Sequence, residues 1–268
     1  MAEADFYENP VTWDLERYLG DEGERKRFQA TADAIVEHSE RLLDVGTGNG
    51  AFLSFLEHLS SPLHLRGLER SKAAIAAADC QAEIVEGSID ALPFTDRSFD
   101  TVTALEVIEH LPRGVYSKAL SEMARVADSQ VLISVPYKER RLMVVCPECG
   151  CRFSPIYHLR TFDERTLQDL VPGFELDRTE LVTTEVHWLL TGLATRIRRL
   201  RDRLEGRIPV RTTCPQCAAV VGSLGTRSAA RPTDPGARRR SLRSTVLSWM
   251  PKAQHPHWII ASYRRIPA

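Results

Sequence analysis

Long apolar runs are missing from this chain. Its hydrophobic stretches fall far short of the roughly 20 residues that a bilayer-spanning helix needs, although 43% of the 268 residues are hydrophobic. The opening MAEADFYENP is acidic and lacks the basic-then-apolar order of a secretion signal. Both absences predict a cytoplasmic protein. Net charge is nearly absent too, −1 at pH 7, but the balance is uneven: from Glu185 onward 16 Lys and Arg face 4 Asp and Glu, leaving 19 against 32 in the first 184 residues. A basic C-terminal third attached to an acidic body can meet phosphate, nucleic acid or an anionic lipid surface, or simply pack on the acidic part. Aromatic residues are scarce at 7%, and none falls within the Arg-rich run GSLGTRSAARPTDPGARRRSLRS at 222–244. That run reads as a loop without platforms for base stacking, which makes RNA the weaker partner.

What is present begins with RLLDVGTGNGAFLSFLEHL, 41–59. Leu42, Leu43 and Val45 make a short apolar strand, GTGNG turns it, and Phe52, Leu53, Phe55, Leu56 and Leu59 recur at helical spacing. Glycines at 46, 48 and 50 let a ligand approach the main chain without meeting a Cβ, and the helix start behind them offers free N–H groups. A dinucleotide fingerprint would place its third glycine one position later. The Asp44-x-Gly46-x-Gly48-x-Gly50 pattern instead resembles the first motif of class I S-adenosylmethionine (SAM) methyltransferases. LHLRGLER (63–70) alternates like a strand and ends in Glu69, and AEIVEGSIDALPFTDRSFDTVTALEVIEHL (82–111) is similar to that family's third strand, adenine loop and fourth strand. The resemblance covers roughly 38–136 and the closing strands.

It implies an α/β fold, a Rossmann-like doubly wound sheet of seven strands. It implies a SAM site in which Asp44, Gly46, Thr47, Gly48 and Gly50 form the turn, and Glu69, with Arg70 beside it, takes the ribose hydroxyls. Ser88 stands where the family's adenine-contacting Asp is expected, so Ser88 and the Ile89 backbone take that role, with Asp90 nearby. Leu105 lies beside the methionine part.

The remaining pattern predicts a helix at 115–127, a strand at 130–136, a helix at 161–171 capped by Thr161 with Glu164 three residues on, and closing strands at 174–184 and 257–266. The domain plan is an N-terminal helical lid (1–37) whose Tyr7, Trp13 and Tyr18 line the site or pack on the sheet, then a core (38–184). A basic helical insertion (185–256) and a last strand (257–268) follow. Within the insertion, Leu189, Leu193, Ile197, Leu200 and Leu204 stripe a helix over 185–207. Packing on the domain or in a homodimer is the commoner use of such a stripe; peripheral membrane contact is the rival.

Two C-P-x-C knuckles stand far apart, Cys146/Cys149 and Cys214/Cys217. Four thiolates in two chelating turns suit tetrahedral zinc. The long separation makes the clasp tertiary, a brace without chemistry. The competing reading is a thiol–disulfide couple. Cys151 is a spare thiol or alternative ligand, and Cys80, at the end of an Ala-rich helix, a small buried side chain. For catalysis, EVIEHL gathers Glu106, Glu109 and His110, with Glu106 and Glu109 on one helical face if the turn has begun there, and IYHLRTFDE adds His158. This E-x-x-E-H…H set is similar to metal-dependent O-methyltransferases, such as those of ubiquinone biosynthesis and the small-RNA 2′-O-methyltransferases. There a divalent ion, a second metal here, holds the acceptor hydroxyl. His110 as a metal-free general base is the other reading, and His158 has a second use as a zinc ligand. The expected activity is SAM-dependent O-methylation of a small molecule, glycan or lipid-linked acceptor. An RNA 2′-O-methyltransferase and a SAM-binding scaffold without turnover are the alternatives.

Overall fold

Strands buried on both faces must be apolar almost throughout, as parallel strands covered by helices are. The strands β1 (Arg41–Val45), β4 (Phe99–Leu105) and β5 (Ala127–Pro136) form the centre of the sheet. They meet this demand through Leu42, Leu43, Val102, Ala104 and Val131–Ile133, with Asp44, Thr101, Thr103, Gln130 and Ser134 as buried polar exceptions. The structure, a computed structural model, describes residues 7, 8, 13, 20–59, 62–187, 212–217, 219–221 and 252–267. With β2 (His64–Glu69), β3 (Glu83–Glu86), β8 (Phe174–His187) and β11 (Lys252–Arg265), the main sheet runs β3-β2-β1-β4-β5-β11-β8. Pairing is parallel from β3 to β5 and antiparallel from β5 through β11 to β8. The seven-stranded, Rossmann-like α/β class read from the sequence is therefore the fold. Strand order reverses between β1 and β4, and a crevice at their carboxyl ends is the expected ligand position in such sheets.

Alternation along β1 sends Leu43 and Val45 into one core and Leu42 into the other. Under the first lies α4 (Arg113–Val126), which buries Ala119, Leu120, Met123 and Val126. Under the second lie α1 (Glu22–Ala34) and α2 (Ala51–His58), with Phe28 of α1 against Phe52 and Phe55 of α2, ring centroids 5.5 and 5.7 Å apart. Asp21 starts α1 by accepting the Glu24 N–H at 3.0 Å. Truncating Leu53, fully buried between these layers, to Ala would cost about 2–5 kcal/mol. Buried Gln130 knits the layers: its amide donates to the Ala34 carbonyl (2.8 Å) and the Ser262 hydroxyl (2.9 Å), and its oxygen accepts from the Val36 N–H (3.1 Å).

Several expectations need correction. Residues 161–171 form turns, not a helix. Asp163 rather than Thr161 takes the cap, accepting from the N–H groups of Arg165 and Thr166. Glu164 is drawn away to Tyr137 and Lys138, and Asp169 (φ 49°) and Gly173 (φ 74°) break the helical path. The Ala-rich helix α3 is only Lys72–Ala76, so Cys80 lies in the loop beyond it. Residues 185–187, placed in the insertion helix, continue β8. The rest of that helix, the 222–244 loop and Tyr18 lie outside the described residues. No helix among the described residues is long and apolar enough to cross a membrane.

Two small hairpins hang from the sheet. β6 (Val144–Val145) pairs with β7 (Arg152–Phe153), and β9 (Thr212–Thr213) with β10 (Val220–Val221). Each carries one cysteine knuckle.

Candidate active site

A cleft of about 990 Å³ opens at the carboxyl ends of β1, β2 and β4. After Val45 the chain reverses into α2 through Gly46, Gly48 and Gly50, all in the left-handed region (φ 71°, 58° and 73°) where a Cβ is disfavoured. Room is short as well: a Cβ on Gly46 would lie 2.7 Å from Val107, and one on Gly48 2.7 Å from the Trp13 ring. The turn is fastened to β2 by the Gly46 and Thr47 N–H groups, which donate to the Leu68 carbonyl at 2.7 and 3.1 Å. Glu69, the buried end of β2, accepts from the N–H groups of Gly48 (2.9 Å), Arg70 (2.8 Å) and Ser71 (2.8 Å). Ser88, Ile89, Arg70 and Leu105 complete this half of the lining. The Ser88 hydroxyl donates to Asp90. Asp44 is buried and accepts the Thr103 hydroxyl at 2.6 Å, and loss of solvent pushes its carboxyl up to about 6.

The other half is built by the turn after β4. Glu106 sits at φ 58°, and no helix forms before Arg113, so Glu106 and Glu109 do not share a helical face. They part company. Burial pushes Glu106 up to about 7, with the Arg27 charge opposing the shift. Arg27, buried on α1, pairs with Glu24 and lies 5.5 Å over the Trp258 ring. Its Nη1, like Glu106 Oε1 and Asn49 Nδ2, is buried without a hydrogen-bond partner, and all three residues line the cleft.

Glu109 instead joins His110 and His158. One ligand atom from each lies within 4.8 Å of the others, and the imidazole rings meet edge to face with centroids 4.6 Å apart. Both Glu109 carboxylate oxygens are buried without a hydrogen-bond partner. Burial, then the neighbouring Glu106, raises its carboxyl well above the usual range. Burial, then His158, holds His110 down to about 3, a neutral imidazole. His158 Nδ1 lies 2.5 Å from Glu139, and Tyr7 Oη lies 3.0 Å from His110 Nδ1. The Trp13 indole donates to the Tyr7 carbonyl at 2.6 Å, so these N-terminal aromatics roof the cleft.

The knuckles meet away from the cleft. Cys146 Sγ lies 3.6 Å from Cys217 Sγ, and Cys149 Sγ 3.6 Å from Cys214 Sγ, with all four sulfurs within 4.8 Å of one another. Sulfurs about 2.3 Å from a tetrahedral zinc would stand ~3.8 Å apart, so the donor set fits that ion. Although burial opposes it, N–H groups of Cys217 and Gln216 and the facing thiols pull Cys214 down to about 6, toward the thiolate a metal needs. His158 faces the cleft and not this cluster.

Reading the sequence missed Arg27, Glu139 and Trp258. Arg27 stands four residues before Thr31 and seven before Ala34, both on the buried face of α1, so its spacing held the signal. Glu139, in a charged KER run, offered none.

The family described as "Methyltransferase domain" matches residues 43–134, from β1 to β5. A phthiotriol/phenolphthiotriol dimycocerosates methyltransferase of Mycobacterium ulcerans is 31% identical over 130 residues, 45% of this chain and 46% of that one. A fatty-acid O-methyltransferase of Mycolicibacterium smegmatis is 29% identical over 129 residues, 43% and 46%. The chain thus spans about half the length of the curated relatives it matches. Among solved structures, a SAM-dependent methyltransferase from Archaeoglobus fulgidus superposes with a TM-score of 0.53 at 16% identity, covering 93% of this chain and 97% of that one. The [4+2]-cyclase SpnF does so at 0.54 and 15%, covering 91% and 82%. At such identities the likeness concerns the fold. Sheet order, glycine turn and family match agree: residues 43–134 match the methyltransferase-domain family, and the chain has the fold of class I SAM-dependent methyltransferases.

Proposed function

We propose that this chain transfers a methyl group from SAM to an oxygen of a small, lipid-like acceptor. The observation that carries the reading is the cluster of Glu109, His110 and His158, in which buried Glu109 backs the two imidazoles that line the same cleft as the Gly46–Gly50 turn. When bound, SAM supplies a methyl group on a sulfonium centre. Glu69 is the acceptor for its ribose hydroxyls, and the unpartnered Arg27 Nη1 suits its methionyl carboxylate. Ser88 and the Ile89 backbone face its adenine. Tyr7 and Trp13 close the roof and exclude water. Positioning supplies most of what such a transfer needs; the remainder is the acceptor proton.

Glu109, His110 and His158 would manage that proton. One carboxylate with both oxygens unpartnered and two imidazoles is a donor set that fits a divalent cation, and Glu139 behind His158 is the outer carboxylate such sites employ. A cation held there would lower the pKa of an acceptor hydroxyl. The fatty-acid O-methyltransferase relative supports an oxygen acceptor carried on a lipid. Cys146, Cys149, Cys214 and Cys217 would hold a structural zinc, a closed site with no position for substrate.

The test is transfer of labelled methyl from SAM by the purified chain to separated lipid, small-molecule, glycan, protein and RNA fractions, with and without a mild chelator. Label in lipid or small molecules, lost with chelator, is the expected result. Label in RNA would replace this reading with 2′-O-methylation of RNA. SAM binding without label anywhere would leave a SAM-binding scaffold.

A further inference from the structure

The cysteine cluster and the acceptor side of the cleft are joined by a few residues of chain. Tyr157 is a bulky residue held at φ 56°, a left-handed conformation that surroundings must enforce. The residue is 5% exposed and packs in one cluster with Val144, Cys146, Phe153, Cys214 and Val221. The next residue, His158, enters the cleft. Just beyond, the Leu159 N–H donates to the Glu109 carbonyl at 2.7 Å, and Arg141 donates to the Leu159 carbonyl at 2.6 Å. The socket for Tyr157 is therefore made of both knuckles, and what Tyr157 fixes is the start of the segment stitched to the catalytic turn. The bonds that set the glycine turn and Glu69 come from β1, β2 and the residues that follow them.

Two hairpins of two-residue strands cannot hold such a socket alone, since isolated two-stranded ribbons are marginal in water. A metal bound by four thiolates supplies that folding energy directly. We infer that zinc held by Cys146, Cys149, Cys214 and Cys217 positions His158 through the socket that both knuckles build around Tyr157. Metal loading thereby governs the acceptor half of the cleft and leaves the cofactor half unchanged. The inference rests on the reading of Glu109, His110 and His158 as the acceptor side. Zinc here has a reach beyond bracing: it decides whether His158 faces His110.

The experiment uses the full chain, zinc-loaded and zinc-stripped, treated with diethylpyrocarbonate. Modification of His158 is followed by mass spectrometry against exposed His38, and SAM affinity is followed by calorimetry. Stripping is expected to raise the relative rate at His158 about tenfold or more, as local opening does, with SAM affinity within about threefold. Tyr157→Ala keeps all four thiols; it is expected to retain one zinc per chain and still free His158. His158 that stays protected in the stripped chain, or in zinc-loaded Tyr157→Ala, overturns the inference, as does a chain that takes up no zinc. If stripping unfolds the chain and abolishes SAM binding, Tyr157→Ala alone decides, in either direction. His158 labelling does not involve methyl transfer, so failure of the methyltransferase reading would show separately, as absent SAM binding or absent turnover.

Discussion

The Tyr7 hydroxyl lies 3.0 Å from Nδ1 of His110, joining the start of the chain to the turn after β4. The other ring nitrogen, Nε2, lies 3.9 Å from Glu109. Tyr7→Phe removes it while leaving an aromatic roof. A net hydrogen bond is worth about 0.5–1.5 kcal/mol, so transfer should slow up to about tenfold. SAM affinity should stay within about twofold, because the change falls on the acceptor side. Steady-state rates and a calorimetric Kd check the pair.

Among the described residues, Arg27 is the cleft-lining cation with a buried nitrogen that has no hydrogen-bond partner. Arg27→Met should weaken SAM binding about tenfold to a hundredfold, the range for a hydrogen bond to a charged group. Arg27→Lys should restore part of it, since the charge returns without the fork. Equal affinities for wild type and Arg27→Met would remove the methionyl-carboxylate assignment.

Gly48 and Gly114 make a matched pair. Gly48 combines φ 58° with a would-be Cβ 2.7 Å from Trp13, whereas nothing lies within 4 Å of one on Gly114. Gly48→Ala should cost about 1–2 kcal/mol of stability from backbone strain and displace the Trp13 roof. Gly114→Ala in α4 should be neutral or slightly stabilising. Thermal melts and SAM titrations of both variants give the comparison.

Asp44 makes stability depend on pH. Burial raises its carboxyl from an ordinary 3.8 to about 6. The folded value is above the unfolded one, so its contribution is fully present below about 3.8 and is lost as pH rises through 6. In the ligand-free chain Asp44→Asn should therefore be near-neutral at pH 4 and more stable than wild type at pH 7.5, by about 2–3 kcal/mol. Denaturant midpoints at the two pH values measure it. A gain of equal size at both would locate the effect in packing rather than charge.

The sheet was readable because its central strands are short, apolar and separated by turn chemistry, and because GTGNG demands backbone that only glycine takes easily. The two knuckles were readable from spacing alone, since C-P-x-C repeated across the chain has few other uses. What was hidden depended on tertiary placement. Glu106 and Glu109 look like partners in EVIEHL, yet the left-handed turn at Glu106 sends one toward Arg27 and the other to His158. Arg27 reads as a solvated charge within GERKRFQ, although its register with Thr31 and Ala34 marks the buried face. The 161–171 run has helical spacing, but Asp163, Asp169 and Gly173 offer the backbone better local bonds and turns. Tyr157 had no sequence signal, because its role comes from two hairpins distant in the chain.

Methyl transfer to an oxygen, with Glu109, His110 and His158 managing the proton, is the activity proposed for this chain. The measurement that reaches it most directly is labelled-methyl transfer from SAM to a hydroxylated or carboxylated long-chain lipid, by wild type and by His110→Asn, with SAM affinity determined for both. The account predicts an O-methylated lipid from wild type, a loss of about a hundredfold or more in the variant, and similar SAM affinities. Undiminished transfer by His110→Asn, or SAM binding by wild type with no methylated oxygen in any acceptor, would contradict it.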